Sequence, residues 1–193
     1  QRRRAQQGRA QCDELLGRSH RGHRPARAAR ARWLAQLPSP AVSRDGRTVG
    51  LTAPSGAAQT RLFQRAIGAA GIRREDVGMI EGHGTATRLG DRTELRSLAQ
   101  TYGATSPGAG ALLGSVKSNV GHAQAAAGGL GLAQVLVAAQ PAAVPATLHV
   151  DSCSREIRWE DQGLRFAATL TPWPATGGAR VGGVSGVGLG GTN

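Results

Sequence analysis

Aromatic residues and cysteine are both scarce in this chain of 193 residues. Aromatic side chains make up 3% of the residues, so the hydrophobic core must be built from Ala, Val, Leu and Gly. Two cysteines, Cys12 and Cys153, cannot form the disulfide framework of a small secreted domain. No basic start followed by an apolar run and a small-residue cleavage site is visible, so we expect a cytoplasmic protein.

Long apolar runs are missing as well. The most apolar stretch, residues 123–140, carries no charge, but Gln134 and three glycines interrupt it. It also falls short of the roughly 20 apolar residues that cross a bilayer. The stretch therefore predicts a helix buried on nearly all sides rather than a membrane span, and we expect no membrane partner.

Acidic residues are too few to balance the arginines, and the imbalance is concentrated at the start of the chain. The net charge is +12, of which residues 1–32 contribute +8, because they hold ten arginines and two acids. This Arg-rich composition predicts that residues 1–44 are largely disordered. A nucleic-acid-binding arm is the alternative, but the only aromatic residue is Trp33, so the stacking pattern of such arms is missing and nucleic acid is not an expected partner.

Metal ligands do not form a recognisable pattern in this segment. Cys12, His20 and His23 lack a second close pair and the usual spacing of zinc ligands. We therefore predict no metal site.

The remainder of the chain alternates between helical and strand patterns, which predicts a layered α/β domain. Ser55 caps a predicted helix over 57–70, and Asp91 with Glu94 resembles a capping box that starts another helix. The predicted strands are residues 77–81, 112–116, 164–168 and 181–187, and a third helix covers 123–140.

Two histidines follow predicted buried strands directly. His83 comes after the first strand, among small residues and beside the hydroxyls of Thr85 and Thr87. His122 comes after the second strand, five residues beyond Lys117, which is the single lysine in the sequence. Functional groups of α/β sheets gather at the carboxyl ends of strands, so we predict that these residues share a site.

Three motifs in this order resemble the β-ketoacyl synthases. Residues 83–91, His-Gly-Thr-Ala-Thr-Arg-Leu-Gly-Asp, are similar to the first histidine motif of that family. Residues 114–122, Gly-Ser-Val-Lys-Ser-Asn-Val-Gly-His, resemble the second, and residues 188–193, Gly-Leu-Gly-Gly-Thr-Asn, resemble the Gly-rich loop. Residues 50–54 and 145–150 also resemble the ketosynthases of modular type I polyketide synthases. The similarity extends over residues 42–193, whereas the Arg-rich segment 1–41 matches nothing recognisable.

The resemblance implies a thiolase-like fold of two similar α/β halves, of which this chain is the C-terminal half. It also implies a decarboxylative Claisen condensation, in which a malonyl-type extender arrives on the phosphopantetheine of an acyl carrier protein. The chain itself would bind no cofactor. Its expected partners are the acyl carrier protein, other polyketide synthase domains and, in the intact domain, a second copy.

The resemblance further assigns roles to individual residues. His83 and His122 would donate N–H groups to the thioester oxygen as it becomes negatively charged. Lys117 would hold the orientation of His122 and tune its proton affinity. Thr85 and Thr87 match positions that contact the pantetheine arm. Val187 and Gly188 match the turn whose backbone N–H helps to bind the acyl-thioester oxyanion.

Several departures from the family pattern bear on activity. The nucleophilic cysteine belongs to a motif like Thr-Ala-Cys-Ser-Ser upstream of both histidines, and neither Cys12 nor Cys153 matches it. We therefore predict that these 193 residues alone do not catalyse condensation. A catalytically dead half-domain that acts as a docking module, or a degenerate gene product, is the alternative. Ala86 also stands in place of a glycine, and Val187 in place of an aromatic residue.

Overall fold

The structure is a computed structural model that describes residues 36–48, 50, 52–104, 109–150, 163–174 and 178–193. The chain divides into two units, Gln1–Gln36 and Leu37–Asn193. The predictions made for residues 1–35, for the metal-ligand candidates there and for Cys153 lie outside the described residues.

A four-stranded parallel sheet forms the centre of the second unit. Its strand order is β4-β2-β1-β6, and a two-stranded antiparallel pair, β3 with β5, lies apart from it. The strands are β1 Val77–Glu81, β2 Leu112–Gly114, β3 Ala143–Val144, β4 Arg165–Phe166, β5 Thr171–Pro172 and β6 Val181–Val184.

Among the described residues, four α-helices accompany the strands. They are α1 Gly56–Ala70, α2 Arg88–Tyr102, α3 Lys117–Val120 and α4 Ala127–Ala139. Short 3₁₀ turns at Arg74–Asp76 and Gln124–Ala126 lead into β1 and α4. As the sequence predicts, Ser55 caps α1, because its side chain accepts the N–H of Ala58, and Gly71 ends the helix in the left-handed conformation.

Side chains of the central strands alternate between two hydrophobic cores, one on each face of the sheet. Ile80 and Leu113 point to the face covered by α1 and α2, where they meet Phe63 and Leu98. On the opposite face, the side chains that pack together are Met79, Leu112, Val135, Ala138, Val144, Ala167 and Trp173. The sheet is therefore the middle layer of three, which is the α/β layering that the alternating sequence pattern predicts.

Three sequence-based expectations differ from the structure. The helix predicted over 123–140 is regular only from Ala127 to Ala139, and it is not buried on all sides, since Leu136 is 40% and Val137 50% exposed. The capping box of Asp91 and Glu94 is wrong, because α2 already begins at Arg88 and Thr87 occupies its N-cap position. Strand β1 has its predicted bounds, but β2, β4 and β6 are shorter than the strands predicted at 112–116, 164–168 and 181–187.

The start of the described chain pairs with its end. Ser43 and Asn193 exchange two backbone hydrogen bonds of 2.9 Å, and Arg44 forms an antiparallel bridge with Thr192. The side-chain amide of Asn193 donates to Asp45 at 2.7 Å. The composition-based prediction of disorder is therefore wrong at Ser43 and Arg44, where backbone pairing with a distant segment outweighs the low local hydrophobicity.

Gly78 lies in the middle of β1 against the indole of Trp173. A Cβ at this position would overlap the indole nitrogen and lie 2.9 Å from its Cδ1 atom. We expect Gly78→Ala to lower the free energy of unfolding by about 1–3 kcal/mol, because the packed indole must move. Urea denaturation measures the change.

Gly68 provides the matched control. It lies inside α1, and a Cβ there would meet nothing within 4 Å. Gly68→Ala should therefore raise the free energy of unfolding by roughly 0.5–1 kcal/mol, the helix-propensity gain. Equal effects of the two substitutions would contradict the packing described for Trp173.

Candidate functional site

Three loops meet at the carboxyl ends of neighbouring strands. Residues 82–87 follow β1, residues 115–122 follow β2, and residues 185–190 follow β6. Because β1 pairs with both β2 and β6 in parallel, these loops leave the sheet at the same edge. The arrangement places them around a common depression.

An open cleft of about 760 Å³ occupies this depression. The structure brings together all seven residues that the sequence predicts for the site, and each of them lines the cleft: His83, Thr85, Thr87, Lys117, His122, Val187 and Gly188.

The two imidazole rings face each other across the cleft. The centroids of His83 and His122 lie 5.8 Å apart, with the ring planes at 86°. The backbone N–H of Gln124 donates to Nδ1 of His122 at 2.9 Å. Because Nδ1 acts as the acceptor, the neutral ring of His122 carries its proton on Nε2, which is then its free donor.

His83 is held in the neutral form. Burial lowers the pKa of His83 to about 4, and the positive charge of Lys117 and the neighbouring His122 act in the same direction. At pH 7 the ring is therefore an uncharged donor and acceptor rather than an imidazolium. Lys117 thus acts electrostatically on His83, whereas the proposed orientation of His122 by Lys117 stays a prediction.

A buried carboxylate fixes the loop that carries His83. One oxygen of Glu94 accepts the backbone N–H of His83 at 2.7 Å, and the other accepts that of Gly84 at 2.9 Å. Glu94 is only 6% exposed, so both bonds are shielded from water. The residue that the sequence pattern assigns to a helix cap instead reaches out of α2 and binds the backbone of the loop that carries His83.

Ala86 has the backbone conformation expected of a glycine. Its φ of 60° lies in the left-handed region, which is unfavourable for a residue with a Cβ. Burial, assisted by the negative charge of Glu94, raises the pKa of the nearby Asp91, while the backbone N–H groups of Ala86 and Thr87 act in the opposite direction.

The loop carrying Lys117 and His122 is attached to residues 146–148. The Asn119 side chain donates to the carbonyl of Ala146 at 3.1 Å, and the hydroxyl of Ser118 accepts the N–H of Leu148 at 3.0 Å. The hydroxyl of Thr147 accepts the N–H of Ser115 at 3.3 Å. The motif at residues 145–150 therefore supports the second histidine loop.

The third loop forms a tight turn. The N–H of Gly188 donates to the carbonyl of Thr192 at 2.7 Å, and the N–H of Gly191 donates to the carbonyl of Gly188 at 2.9 Å. The Gly188 N–H is thus already used inside the turn. Within the described part of the chain, the N–H groups of Val187 and Leu189 have no hydrogen-bond partner.

Sequence reasoning missed the acids and amides beneath the histidines. Glu81, Glu94 and Gln134 carry the polar contacts below the cleft, and Gln59 lines it while being only 1% exposed. A carboxylate that ends an apolar strand, as Glu81 does, was the signal that could have indicated them. Among the described residues, no cluster of three or more His, Cys, Asp or Glu side chains could hold a metal ion.

Glu81 and His83 have pKa shifts of opposite sign, and we expect opposite effects on stability. Burial raises the pKa of Glu81 to about 7, so its contribution to stability is complete below pH 4.5 and is lost as pH rises through 7. The pKa of His83 is lowered to about 4, so its contribution is complete above pH 6.5 and is lost as pH falls through 4. Between pH 4.5 and 6.5, Glu81 therefore lowers the free energy of unfolding as pH rises, whereas His83 raises it.

In a variant that lacks one of the two groups, the pH dependence of the unfolding free energy should show the contribution of the other. On going from pH 7 to pH 4.5, we expect Glu81→Gln to lose about 3 kcal/mol of unfolding free energy relative to wild type. His83→Gln should shift in the opposite direction. Urea denaturation across this pH range measures the differences in unfolding free energy between variant and wild type. The contributions of the other titrating groups cancel in these differences. A Glu81→Gln profile parallel to wild type would contradict the assignment.

Comparison with known proteins identifies the class. Residues 34–151 match the family model described as the C-terminal domain of β-ketoacyl synthases. The chain is 46% identical over 161 residues to erythronolide synthase EryA3 of Saccharopolyspora erythraea, covering 83% of this chain and 5% of that protein. It is 44% identical to the phenolphthiocerol synthesis polyketide synthase Pks15/1 of Mycobacterium marinum, again over 83% of this chain, and covers 8% of that protein.

Solved structures show the same relationship. The ketosynthase from module 6 of the bacillaene synthase of Bacillus subtilis matches with a TM-score of 0.72 at 33% identity, over 79% of this chain and 29% of that one. The oxazolomycin ketosynthase domain OzmH KS8 of Streptomyces albus matches with a TM-score of 0.70 at 34% identity, over 79% of this chain and 41% of that one.

The chain belongs to the β-ketoacyl synthase family and has its thiolase-like α/β fold. Within that family, it corresponds to the C-terminal half of a ketosynthase domain of a type I polyketide synthase. It spans only a small fraction of the length of the curated relatives, 5% in the case of EryA3. Within the described ranges, every helix is too short or too polar to cross a bilayer.

Proposed function

We propose that the cleft contributes the oxyanion-stabilising half of a condensing site, which acts in a decarboxylative Claisen condensation. The observation that carries the proposal is the pair His83 and His122, two rings 5.8 Å apart on loops from adjacent strands. The site joins an acyl group, held as a thioester on a cysteine, to a malonyl-type thioester.

The electron flow of this reaction explains the need for neutral imidazoles. When the bond to the malonyl carboxylate breaks, carbon dioxide leaves and the bonding electron pair moves onto the thioester, which becomes an enolate with a negatively charged oxygen. The N–H groups of His83 and His122 donate to this oxygen. The enolate carbon then attacks the acyl thioester, a carbon–carbon bond forms, and the cysteine thiolate is expelled. The lowered pKa of His83 supports a donor that transfers no proton at neutral pH.

The remaining residues of the cleft bind the substrate or influence the histidines. The positive charge of Lys117 favours the neutral form of His83 and, in our proposal, also assists His122. Thr85 and Thr87 offer hydroxyls to the pantetheine arm. The turn at Val187 and Gly188 supplies a backbone donor to the acyl-thioester oxygen, and since Gly188 donates to Thr192, the donor in this turn is the N–H of Val187.

The proposed substrates arrive attached to another protein. An acyl carrier protein presents the extender on phosphopantetheine, and other polyketide synthase domains supply and process the acyl chain. The protein itself holds no cofactor in this proposal. The open cleft accommodates such an arm, since it extends from the histidines to the exposed side chains of Thr87 and Leu189.

The 193 residues alone are proposed to be inactive, because neither cysteine occurs in the family's nucleophile motif. The test is incubation of the purified chain with acyl-pantetheine thioesters, followed by intact-mass analysis. We expect no stable acyl adduct. The control is the same incubation with a complete ketosynthase domain, which must gain one acyl group. A stable acyl group on Cys12 or Cys153 of this chain would contradict the proposal.

A further inference from the structure

Glu81 is the most deeply buried carboxylate in the described structure, and neither the histidine motifs nor the proposed reaction uses it. It ends β1, two residues before His83, and is 1% exposed. A carboxylate taken out of water is costly unless several donors compensate it. The contacts of Glu81 are therefore informative about what it does.

The Glu81 side chain connects separate parts of the site. One carboxylate oxygen accepts the N–H of Val116 at 2.7 Å, directly before Lys117 at the start of α3. The other accepts the side-chain amide of Gln134 at 3.1 Å, in the middle of α4. Gly131 of α4 leaves the space that the side chain needs, because a Cβ there would lie 3.0 Å from Cγ of Glu81.

The backbone of Glu81 reaches the third loop. Its carbonyl accepts the N–H of Ser185 at 2.8 Å, and Ser185 lines the cleft. Glu81 thus touches the segments that carry all three loops of the cleft.

We propose that Glu81, in its ionised form, is a positioning residue that fixes the loop of Lys117 and His122 relative to the loop of His83. The proposal rests on the function proposed above, since it explains how the two rings are kept in a fixed relative position. A carboxylate has only acceptors, so it satisfies the Val116 N–H and the Gln134 amide together. Protonation turns one oxygen into a donor and weakens one of the two bonds.

The charges that face Glu81 are consistent with such a switchable link. Lys117 on α3 stabilises the ionised form and Glu94 on α2 opposes it, while Gln134 is the polar residue that faces it from α4. The facing residues of β2 and β6 at this level, Gly114 and Val184, are neutral. Burial raises the pKa of Glu81 to about 7, so the link should weaken near neutral pH.

The test is an NMR titration of the 193-residue chain between pH 5.5 and 8.5. In wild type, we expect the Val116 amide and the ring signals of His83 to share an inflection with a midpoint of about 7. In Glu81→Gln this shared inflection should disappear, and the ring nitrogens of His122 should lose their strict preference for protonated Nε2. The absence of a shared inflection in wild type would overturn the proposal, as would its survival in Glu81→Gln.

Exchanging the side chains of Glu81 and Gln134 distinguishes a positioning role of the carboxylate from a purely structural one. The double variant Glu81→Gln with Gln134→Glu keeps one carboxylate and one amide at the same contact. We expect it to restore the shared inflection, whereas a folded double variant without the inflection would overturn the proposal. If Glu81→Gln does not fold, the wild-type titration and the double variant decide. The readout needs no condensation, so a chain that shows the coupling but fails to condense when paired with a nucleophile-bearing half would refute the proposed function alone.

Discussion

His83→Ala and His122→Ala are each expected to slow condensation by about 10²–10³-fold when the chain works together with a nucleophile-bearing ketosynthase half. The reason is the loss of one preorganised donor to the enolate oxygen, which is worth roughly 3–4 kcal/mol in the transition state. The chain is co-expressed with the amino-terminal half of a related ketosynthase, and release of carbon dioxide from a labelled malonyl-thioester on carrier protein is measured.

His149 supplies the matched control for this experiment. It is exposed and does not line the cleft, so His149→Ala removes an imidazole without touching the site. We expect its rate to remain within about twofold of wild type, since a single missing donor is what costs orders of magnitude. A His83→Ala or His122→Ala rate as high as that of His149→Ala would show that the ring in question does not stabilise the transition state.

Glu94→Ala is expected to lower the free energy of unfolding by about 3–5 kcal/mol. The substitution removes two hydrogen bonds to a charged acceptor and leaves the N–H groups of His83 and Gly84 without partners. Glu94→Gln should cost less, because it keeps one acceptor oxygen and relieves the repulsion that Glu94 exerts on Glu81 and Asp91. Urea denaturation at neutral pH measures both variants.

Glu75 is the matched acidic control for Glu94. Its ion pair with Arg74 is short, at 2.7 Å, but both side chains are at least half exposed. Exposed pairs of this kind contribute little, so Glu75→Ala should change stability by less than about 0.5 kcal/mol. If the Glu94→Ala and Glu75→Ala effects are similar, Glu94 does not hold the loop of His83 as described.

Buried acids beneath the two histidines are the principal electrostatic feature of the site. Glu94 accepts two backbone N–H groups of the loop after β1, and Glu81 accepts one of the loop after β2 together with the side-chain amide of Gln134. These hydrogen bonds hold the two loops that carry the histidines. Lys117, in turn, keeps His83 neutral. The arrangement therefore separates the groups that hold the site from the groups that donate to substrate.

The sequence predicted those parts of the fold that depend on local pattern. Ser55 and Gly71 bracket α1 because capping is a local interaction, and the apolar run 77–81 forms β1 because it fits a buried parallel strand. The positions of His83 and His122 followed from their place after strands, whereas Val187 and Gly188 were assigned by the family resemblance. What failed depends on contacts between distant segments: Glu94 turned toward another loop, and Ser43 paired with Asn193.

Burial of a helix also depends on what surrounds it. Residues 123–140 are uncharged, and the sequence predicts a helix covered on all sides, yet Leu136 and Val137 are exposed. The hydrophobicity of a sequence indicates that a helix face is apolar, but it does not indicate which segment covers that face. The Glu81 contacts could not be predicted for the same reason, since they join residues 35 and 53 positions apart in the chain.

NMR of ¹⁵N-labelled histidine side chains shows directly whether His83 and His122 donate to one substrate oxygen. A malonyl-pantetheine analogue with an amide in place of the thioester is titrated into the chain paired with its nucleophile-bearing half, at pH 7. We predict that the Nε2 signals of His83 and His122 shift together and saturate at the same analogue concentration, while His149 stays unchanged. A charged His83 at this pH, or a response from only one of the two rings, would contradict the account.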